Sequence, residues 1–122
     1  MSIRLLRYKT IKGKIRCETG VRIGAQANVI EIGGMDNPII RNPINDFPYI
    51  PGSSLKGKIR SLLEWEIPNK LSNDGSVHSC GDKKCEICRI FGPGKSTDEP
   101  AIGPSRAIFR DANQTDDSKK ML

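Results

Sequence analysis

The only histidine of the chain and three of its four cysteines lie close together in the sequence. They are His78, Cys80, Cys85 and Cys88, in the spacing H-x-C-x4-C-x2-C. One imidazole and three thiolates suit a tetrahedral Zn²⁺ ion, because the short intervening loops let the ligand atoms converge on one point. Four protein ligands leave no open coordination position for a reacting molecule. The pattern therefore predicts a structural zinc site.

Two other roles for these cysteines fit the pattern less well. Three clustered cysteines cannot all pair as disulfides, and a cytosolic chain keeps its thiols reduced. A redox-active pair at Cys85 and Cys88 would leave Cys80 and His78 without a role, and it lacks the preceding strand of thioredoxin-like proteins. The fourth cysteine, Cys17, lies on the apolar face of a predicted strand, so we expect it to be part of the core.

A second candidate site is the Gly-Ser-Ser turn at residues 52–54, directly before a predicted helix with basic residues in its first turns. Free backbone N–H groups and the helix dipole attract anions there, and Ser53, Ser54 and Lys56 would add donors for a phosphate. The nucleotide-binding pattern G-x-x-x-x-G-K-[ST] is not met. Together with Arg22 and a basic strand face, the segment fits an RNA-backbone groove better than a mononucleotide pocket. An ordinary helix cap with solvated lysines is the alternative.

The hydrophobic pattern predicts one clear helix, which begins at a Ser53 or Ser54 cap and ends before Pro68. Its apolar stripe has i, i+4, i+7 and i+8 spacing, and a charged ladder with i, i+4 spacing lies opposite. The stripe consists of Leu55, Ile59, Leu62 and Leu63, and the ladder of Lys56, Arg60 and Glu64. The other predicted elements are a strand over 8–19, an ordered functional loop over 20–51, a short helix over Glu86–Phe91 and a strand over Arg106–Arg110.

Length and composition favour one small domain. The chain has 122 residues, 36% hydrophobic residues and a net charge of +6, which suits a polyanionic partner but is also compatible with a role in solubility. No apolar run is long enough for a membrane span or a secretory signal, so we expect a cytoplasmic protein. One helix with two strands makes an incomplete domain, so we expect either that this chain is the first part of a longer one or that another chain completes the sheet.

Several segments, in order along the chain, resemble one known family. They cover most of residues 11–112 and are similar to the repeated backbone subunit of type III-A CRISPR effector complexes, in the Csm branch of the RAMP superfamily. The matching runs are G-K-I-R-C-E-T-G-V-R-I-G (13–24), I-G-G-M-D-N-P-I-I-R-N-P (32–43), F-P-Y-I-P-G-S-S-L-K-G-K-I-R-S-L-L-E (47–64), C-x-I-C-R-I-F-G (85–92) and G-P-S-R-A-I-F-R-D-A (103–112).

The resemblance implies an α+β fold class with a ferredoxin-like (RRM-like) RAMP core. Family members are substantially longer, so the chain is expected to be their N-terminal part and the core to be incomplete. We expect a single domain over residues 1–122, with a zinc-binding loop insertion at about 70–92 and a disordered or polar tail at about 113–122.

The resemblance also implies an activity in antiviral defence. Family members bind CRISPR guide RNA, assemble with further copies of themselves and other subunits, and cut target RNA at regular intervals. Asp36 falls on the catalytic aspartate of the family, and this metal-dependent endoribonuclease step would use Mg²⁺ or Mn²⁺. The guide-binding residues of the family fall on Ser53, Ser54, Lys56 and Arg60. Arg22 stands where members often have histidine, which keeps phosphate affinity without acid–base chemistry.

Asp36 has two interpretations. Its carboxylate can coordinate a divalent cation or help to deprotonate the 2′-hydroxyl of RNA. Alternatively it caps a turn, a common role for Asp before Asn-Pro. Two other functions therefore remain open for the chain. One is a non-catalytic zinc-containing RNA-binding module, and the other is a small structural zinc protein whose basic surface serves solubility.

Overall fold

The computed structural model describes residues 4–24, 39–80, 82, 84–93 and 104–121. In chain order these residues form β1 (Tyr49–Ile50), α1 (Gly52–Glu66), α2 (Glu86–Phe91), β2 (Ala112–Asn113) and α3 (Asp116–Lys119). This mixed content confirms an α and β protein, whereas a ferredoxin-like core and a single domain remain predictions. The chain divides into two compact units, one of residues 1–8 with 52–110 and one of 9–51 with 111–122.

The first unit is built around α1 and α2. Among the described residues, its buried hydrophobic side chains are those of Cys85, Ile87, Cys88 and Phe91, all at or within α2. Leu63, Ile67 and Phe109 are partly buried and pack against this cluster. The core of the unit therefore coincides with the cysteine segment, which ties its packing to the chemistry of the thiols.

Helix α1 begins earlier than predicted. Gly52 is its first residue, so Ser53 and Ser54 lie inside the first turn rather than at the cap, and the prediction of a serine cap is wrong. Gly52 is buried, and a β-carbon there would collide with the carbonyl group of Phe109. The absence of a side chain thus allows the helix start to approach the backbone at Phe109 closely. The helix ends at Glu66, before Pro68 as predicted.

The predicted apolar stripe of α1 is only partly buried. Leu55 and Leu63 are half-buried, but Ile59 is 39% exposed and Leu62 is 55% exposed. The four residues of the stripe are therefore covered to different extents. The physical reason is that α2 and the segment at Phe109 cover one side of α1, and an amphipathic pattern does not specify how much of a helix face is covered.

The second unit contains the small sheet. β1 pairs with β2 in antiparallel register, with Tyr49 opposite Asn113 and Ile50 opposite Ala112. Two isolated antiparallel bridges precede it, joining Gly24 to Ile39 and Arg41 to Pro48. Asn42 and Asn45 stabilise the turn between the second pair by accepting hydrogen bonds from the backbone amides two residues later. These contacts order residues 39–50, as expected for this part of the predicted loop.

Two predicted strands differ from the structure. Residues 8–19 form no strand within the described part of the chain; Ile11 is 98% exposed and Cys17 is exposed, so its assignment to the core is wrong. Residues 106–110 are not a strand either, and β2 begins at Ala112, two residues beyond the end of the predicted strand. Alternation of apolar and polar residues indicates a possible sheet face, but a strand also needs a hydrogen-bonding partner for its backbone groups.

The polar tail contains a short helix. Thr115 caps α3 by accepting a hydrogen bond from the Ser118 amide at 3.3 Å, and Asp116 and Asp117 lie in its first turn. Both features are typical of a helix start, so a local signal for α3 was present in the sequence. The short helix Glu86–Phe91 was predicted with its observed bounds. Among the described helices none combines the length and apolar character needed to cross a bilayer.

Candidate metal centre

The four predicted zinc ligands come together in the first unit. One ligand atom each from His78, Cys80, Cys85 and Cys88 lies within 4.8 Å of all the others. Cys85 Sγ is 3.3 Å from His78 Nε2, and Cys80 Sγ is 3.9 Å from Cys88 Sγ. Zn–S bonds of about 2.3 Å and Zn–N bonds of about 2.0 Å require ligand separations of about 3.5–3.8 Å at tetrahedral angles. The cluster therefore fits a four-coordinate metal ion such as zinc.

Local backbone structure presents two of the sulfurs. Cys85 is the N-cap residue of α2 and Cys88 lies in its first turn, so the helix sets the distance between them. Both residues are buried, whereas Cys80 is exposed. The Cys80 sulfur accepts a hydrogen bond from the Asp82 amide at 3.4 Å. Backbone amides that point at sulfur stabilise thiolates, which is the form that binds metal.

The acidity of Cys85 suits a metal ligand. Burial by itself would raise the pKa of this thiol, but hydrogen bonds from the Cys88 amide, His78, Cys80 and Lys70 outweigh it. Their sum lowers the pKa of Cys85 from 9.0 to about 6. Burial raises the pKa of Cys80. The hydrogen bond from the Asp82 amide lowers it, and the neighbouring Cys85 and Cys88 raise it further. One thiolate is thus formed readily at neutral pH, and a cation would be needed to hold further negative charge beside it.

Lys70 is a basic neighbour of the cluster that sequence analysis did not identify. Its Nζ donates a hydrogen bond to Cys85 Sγ at 3.4 Å, and this contact is the main cause of the raised pKa of Lys70. Three thiolates and a neutral imidazole around Zn²⁺ carry a net charge of −1, which a lysine partly offsets. No local pattern signals this contact, because the two residues are 15 positions apart.

Two side chains of α1 hold the backbone of His78. Arg60 Nη2 donates to the His78 carbonyl at 2.7 Å, and the His78 amide donates to Glu64 Oε1 at 3.0 Å. Arg60 and Glu64 also form an ion pair at 3.6 Å, with 13% and 12% of their side chains exposed. At these two positions the predicted charged ladder of α1 therefore faces the interior of the first unit.

The residues predicted to contact RNA do not all belong to the same compact unit. Ser53 and Ser54 are exposed in the first turn of α1, and Lys56 Nζ donates to Ser105 Oγ at 2.9 Å. Arg60 faces His78, as described above. Arg22 is exposed and belongs to the second unit. Asp36, the predicted catalytic residue, lies outside the described residues.

Sequence comparison defines the class of protein to which the chain belongs. The chain belongs to the RAMP superfamily, whose family model matches residues 14–122. It is similar to "CRISPR system Cms endoribonuclease Csm3" of Methanothermobacter thermautotrophicus, with 49% identity over 119 residues, 88% of this chain and 46% of the relative. The protein of the same name in Methanocaldococcus jannaschii is 46% identical over 124 residues, covering 91% of this chain and 47% of the relative.

A more distant relative extends the similarity. The Csm3 endoribonuclease of Mycobacterium tuberculosis is 35% identical over 105 residues, covering 86% of this chain and 42% of the relative. The chain spans about half the length of the curated relatives it matches. The predicted resemblance to the Csm branch of the RAMP superfamily is confirmed.

Proposed function

We propose that this chain is part of a guide-RNA-binding backbone subunit of a type III-A (Csm) CRISPR complex that cuts target RNA. The observation that carries the proposal is 49% identity over 88% of the chain to a relative named as a Csm3 endoribonuclease. Its partners would be the CRISPR guide RNA, the target RNA, further copies of itself and other subunits of the complex. A cytoplasmic location and a ferredoxin-like core, completed by further polypeptide, belong to the same proposal.

RNA binding is supported by charge and by the start of α1. The net charge of +6 favours a polyanion, and Ser53 and Ser54 are exposed where the helix dipole is positive. Lys56, whose ammonium group retains donors beyond its bond to Ser105, and the exposed Arg22 are the proposed phosphate contacts. The side chain of Arg60 is largely buried against His78, so we assign it a different role below.

Cleavage is proposed to depend on Asp36. The 2′-hydroxyl of RNA attacks the adjacent phosphorus, the bond to the 5′-oxygen of the next nucleotide breaks, and a 2′,3′-cyclic phosphate remains. The Asp36 carboxylate would accept the hydroxyl proton or bind Mg²⁺ or Mn²⁺. A divalent cation bound there would neutralise negative charge that develops on the phosphorane. This assignment is supported by the position of Asp36 in the Gly-Gly-Met-Asp-Asn-Pro segment.

The zinc site is proposed to be structural. His78, Cys80, Cys85 and Cys88 would hold the ion, and their four-ligand set leaves no position for substrate. Because Cys85, Cys88 and their neighbours form the core of the first unit, the ion would stabilise the packing of α1 against α2. It would take no part in the cleavage reaction.

The decisive experiment is reconstitution of the complex with its guide RNA and a labelled target. Cutting at regular intervals that stops on chelation of Mg²⁺ and resumes with added Mg²⁺ or Mn²⁺ is the expected result. Salt-dependent binding of RNA without any cutting would instead support the non-catalytic RNA-binding module. Neither binding nor cutting would support the small structural zinc protein.

A further inference from the structure

We propose that Arg60 and Glu64 are positioning residues for the metal centre, because together they hold the backbone of the ligand His78. The inference rests on the proposed zinc site, and it assigns a role to two residues of α1 that lie outside the metal cluster itself. The two side chains form a clamp on His78, defined by the hydrogen bonds from Arg60 to its carbonyl and from its amide to Glu64.

The clamp satisfies both polar groups of the His78 backbone. The bond to the carbonyl measures 2.7 Å and the bond from the amide measures 3.0 Å. His78 is 7% exposed, so water has little access to replace either bond. The two side chains thus satisfy the backbone hydrogen bonds of His78, as a neighbouring strand does for a residue in a sheet. Both bonds involve a charged group, and such bonds are shorter and stronger than neutral ones.

His78 depends on such a clamp more than the two sulfur ligands at α2 do. Cys85 and Cys88 are placed by α2, and the Cys80 sulfur is bound by the nearby Asp82 amide. His78 lies in residues 76–80, which form neither helix nor strand. Its backbone is therefore not set by a hydrogen-bonded element of its own, and the hydrogen bonds that hold it come from side chains of α1.

The Arg60 guanidinium also reaches the helix that carries Cys88. Its central carbon lies 5.9 Å from the centre of the Phe91 ring, a distance typical of a cation–π contact. Phe91 is buried at the end of α2. One guanidinium therefore contacts both the His78 segment and α2, which bring different ligands to the cluster. Loss of the guanidinium would loosen the relative placement of these ligands.

The expected consequence is weaker and less uniform metal binding. Residues that orient metal ligands through hydrogen bonds typically change metal affinity about 10- to 100-fold when they are removed. We expect a change in this range for either half of the clamp. The imidazole itself remains present in these variants, so the loss would report its placement rather than its chemistry.

The test uses the full-length protein, reduced and metal-free, with zinc affinity measured by competition against a chelator. Arg60→Met keeps the aliphatic stem but removes the donors, and Glu64→Leu removes the acceptor. Glu64→Gln keeps an oxygen that can accept from the His78 amide, so it should restore part of the affinity lost in Glu64→Leu. Lys58→Met and Glu66→Leu are matched controls, because both residues are exposed on the same helix.

The same proteins loaded fully with Co²⁺ give a readout that reduced stability alone would not change. We expect the visible absorption bands of cobalt in Arg60→Met and Glu64→Leu to shift or weaken, while those of the two controls match the wild type. Far-ultraviolet circular dichroism checks the helices, and if Arg60→Met fails to fold, the comparison of Glu64→Leu with Glu64→Gln decides. Wild-type zinc affinity and cobalt spectra in both Arg60→Met and Glu64→Leu would overturn the clamp alone. A wild-type protein that binds no zinc would overturn the proposed site and the clamp together.

Discussion

Cys85 Sγ and His78 Nε2 lie 3.3 Å apart and approach each other from two different local structures. Cys85 occupies the N-cap position of α2, whereas His78 belongs to an irregular segment bound to α1. Their contact therefore joins the two helices of the first unit at one point. A metal ion bound there would link these elements in the same way that a cross-link does.

The first prediction concerns zinc and stability. Purified, reduced protein should contain about one equivalent of zinc per chain, and Cys85→Ser should lose most of it because one ligand is removed. Its melting temperature should fall as well, since Cys85 is part of the buried core. Elemental analysis and thermal unfolding measure the two effects. Cys17→Ser is the matched control, because Cys17 is exposed and lies outside the cluster. Fresh reduced protein without zinc would contradict the prediction.

The second prediction compares two glycines of α1. Gly52→Ala should destabilise the protein by about 1–3 kcal/mol, because the added β-carbon meets the backbone carbonyl of Phe109. Gly57→Ala should instead stabilise it, by up to about 1 kcal/mol, because no atom lies within 4 Å of a β-carbon there and alanine is the better helix former. Urea unfolding of both variants measures the difference. Equal effects would mean that the helix start is not tightly packed.

The third prediction concerns RNA affinity. Lys56→Ala and Arg22→Ala should each weaken binding of the guide RNA regardless of its sequence, because both are proposed phosphate contacts. Each should reduce the slope of log affinity against log salt by about one contact. Filter binding over a range of salt concentrations measures both quantities. Lys120→Ala, which removes an exposed charge from the end of α3, is the control. Unchanged affinity and salt slope in the variant that carries both Lys56→Ala and Arg22→Ala would place the RNA elsewhere.

The fourth prediction concerns cleavage. Asp36→Ala should abolish cutting of the target RNA by the reconstituted complex while binding of guide and target stays nearly intact, because one carboxylate contributes little to holding a polyanion. Asp117→Ala removes an exposed carboxylate from α3 and should cut normally. Gel analysis of labelled target measures both.

A target with a 2′-deoxy nucleotide at the cut site should bind without being cut, because it lacks the nucleophile. Cutting by Asp36→Ala at the wild-type rate would make Asp36 a turn residue and favour the non-catalytic RNA-binding module.

Local patterns were sufficient where the interactions are local. The helix over Glu86–Phe91 and the end of α1 before Pro68 follow from hydrogen bonds and steric limits within a few residues. The strand predicted over residues 8–19 failed because pairing depends on a partner that alternation cannot specify. The serine cap of α1 failed for a related reason. Close packing of Gly52 against Phe109, 57 positions away, sets where the helix begins.

The amino-acid sequence by itself determined the candidate metal cluster and the family. Four potential ligands within residues 78–88 can reach one ion through short loops alone, so their spacing predicts a metal site without knowledge of the fold. Only the tertiary structure decided what Arg60 contacts. Arg60 and Glu64 have the same i, i+4 spacing whether their side chains are solvated or buried. In the folded chain His78, which lies 18 positions from Arg60, packs against the two side chains and buries most of their surface. The physical reason is that spacing along a helix specifies which side chains are neighbours, whereas packing specifies what faces them.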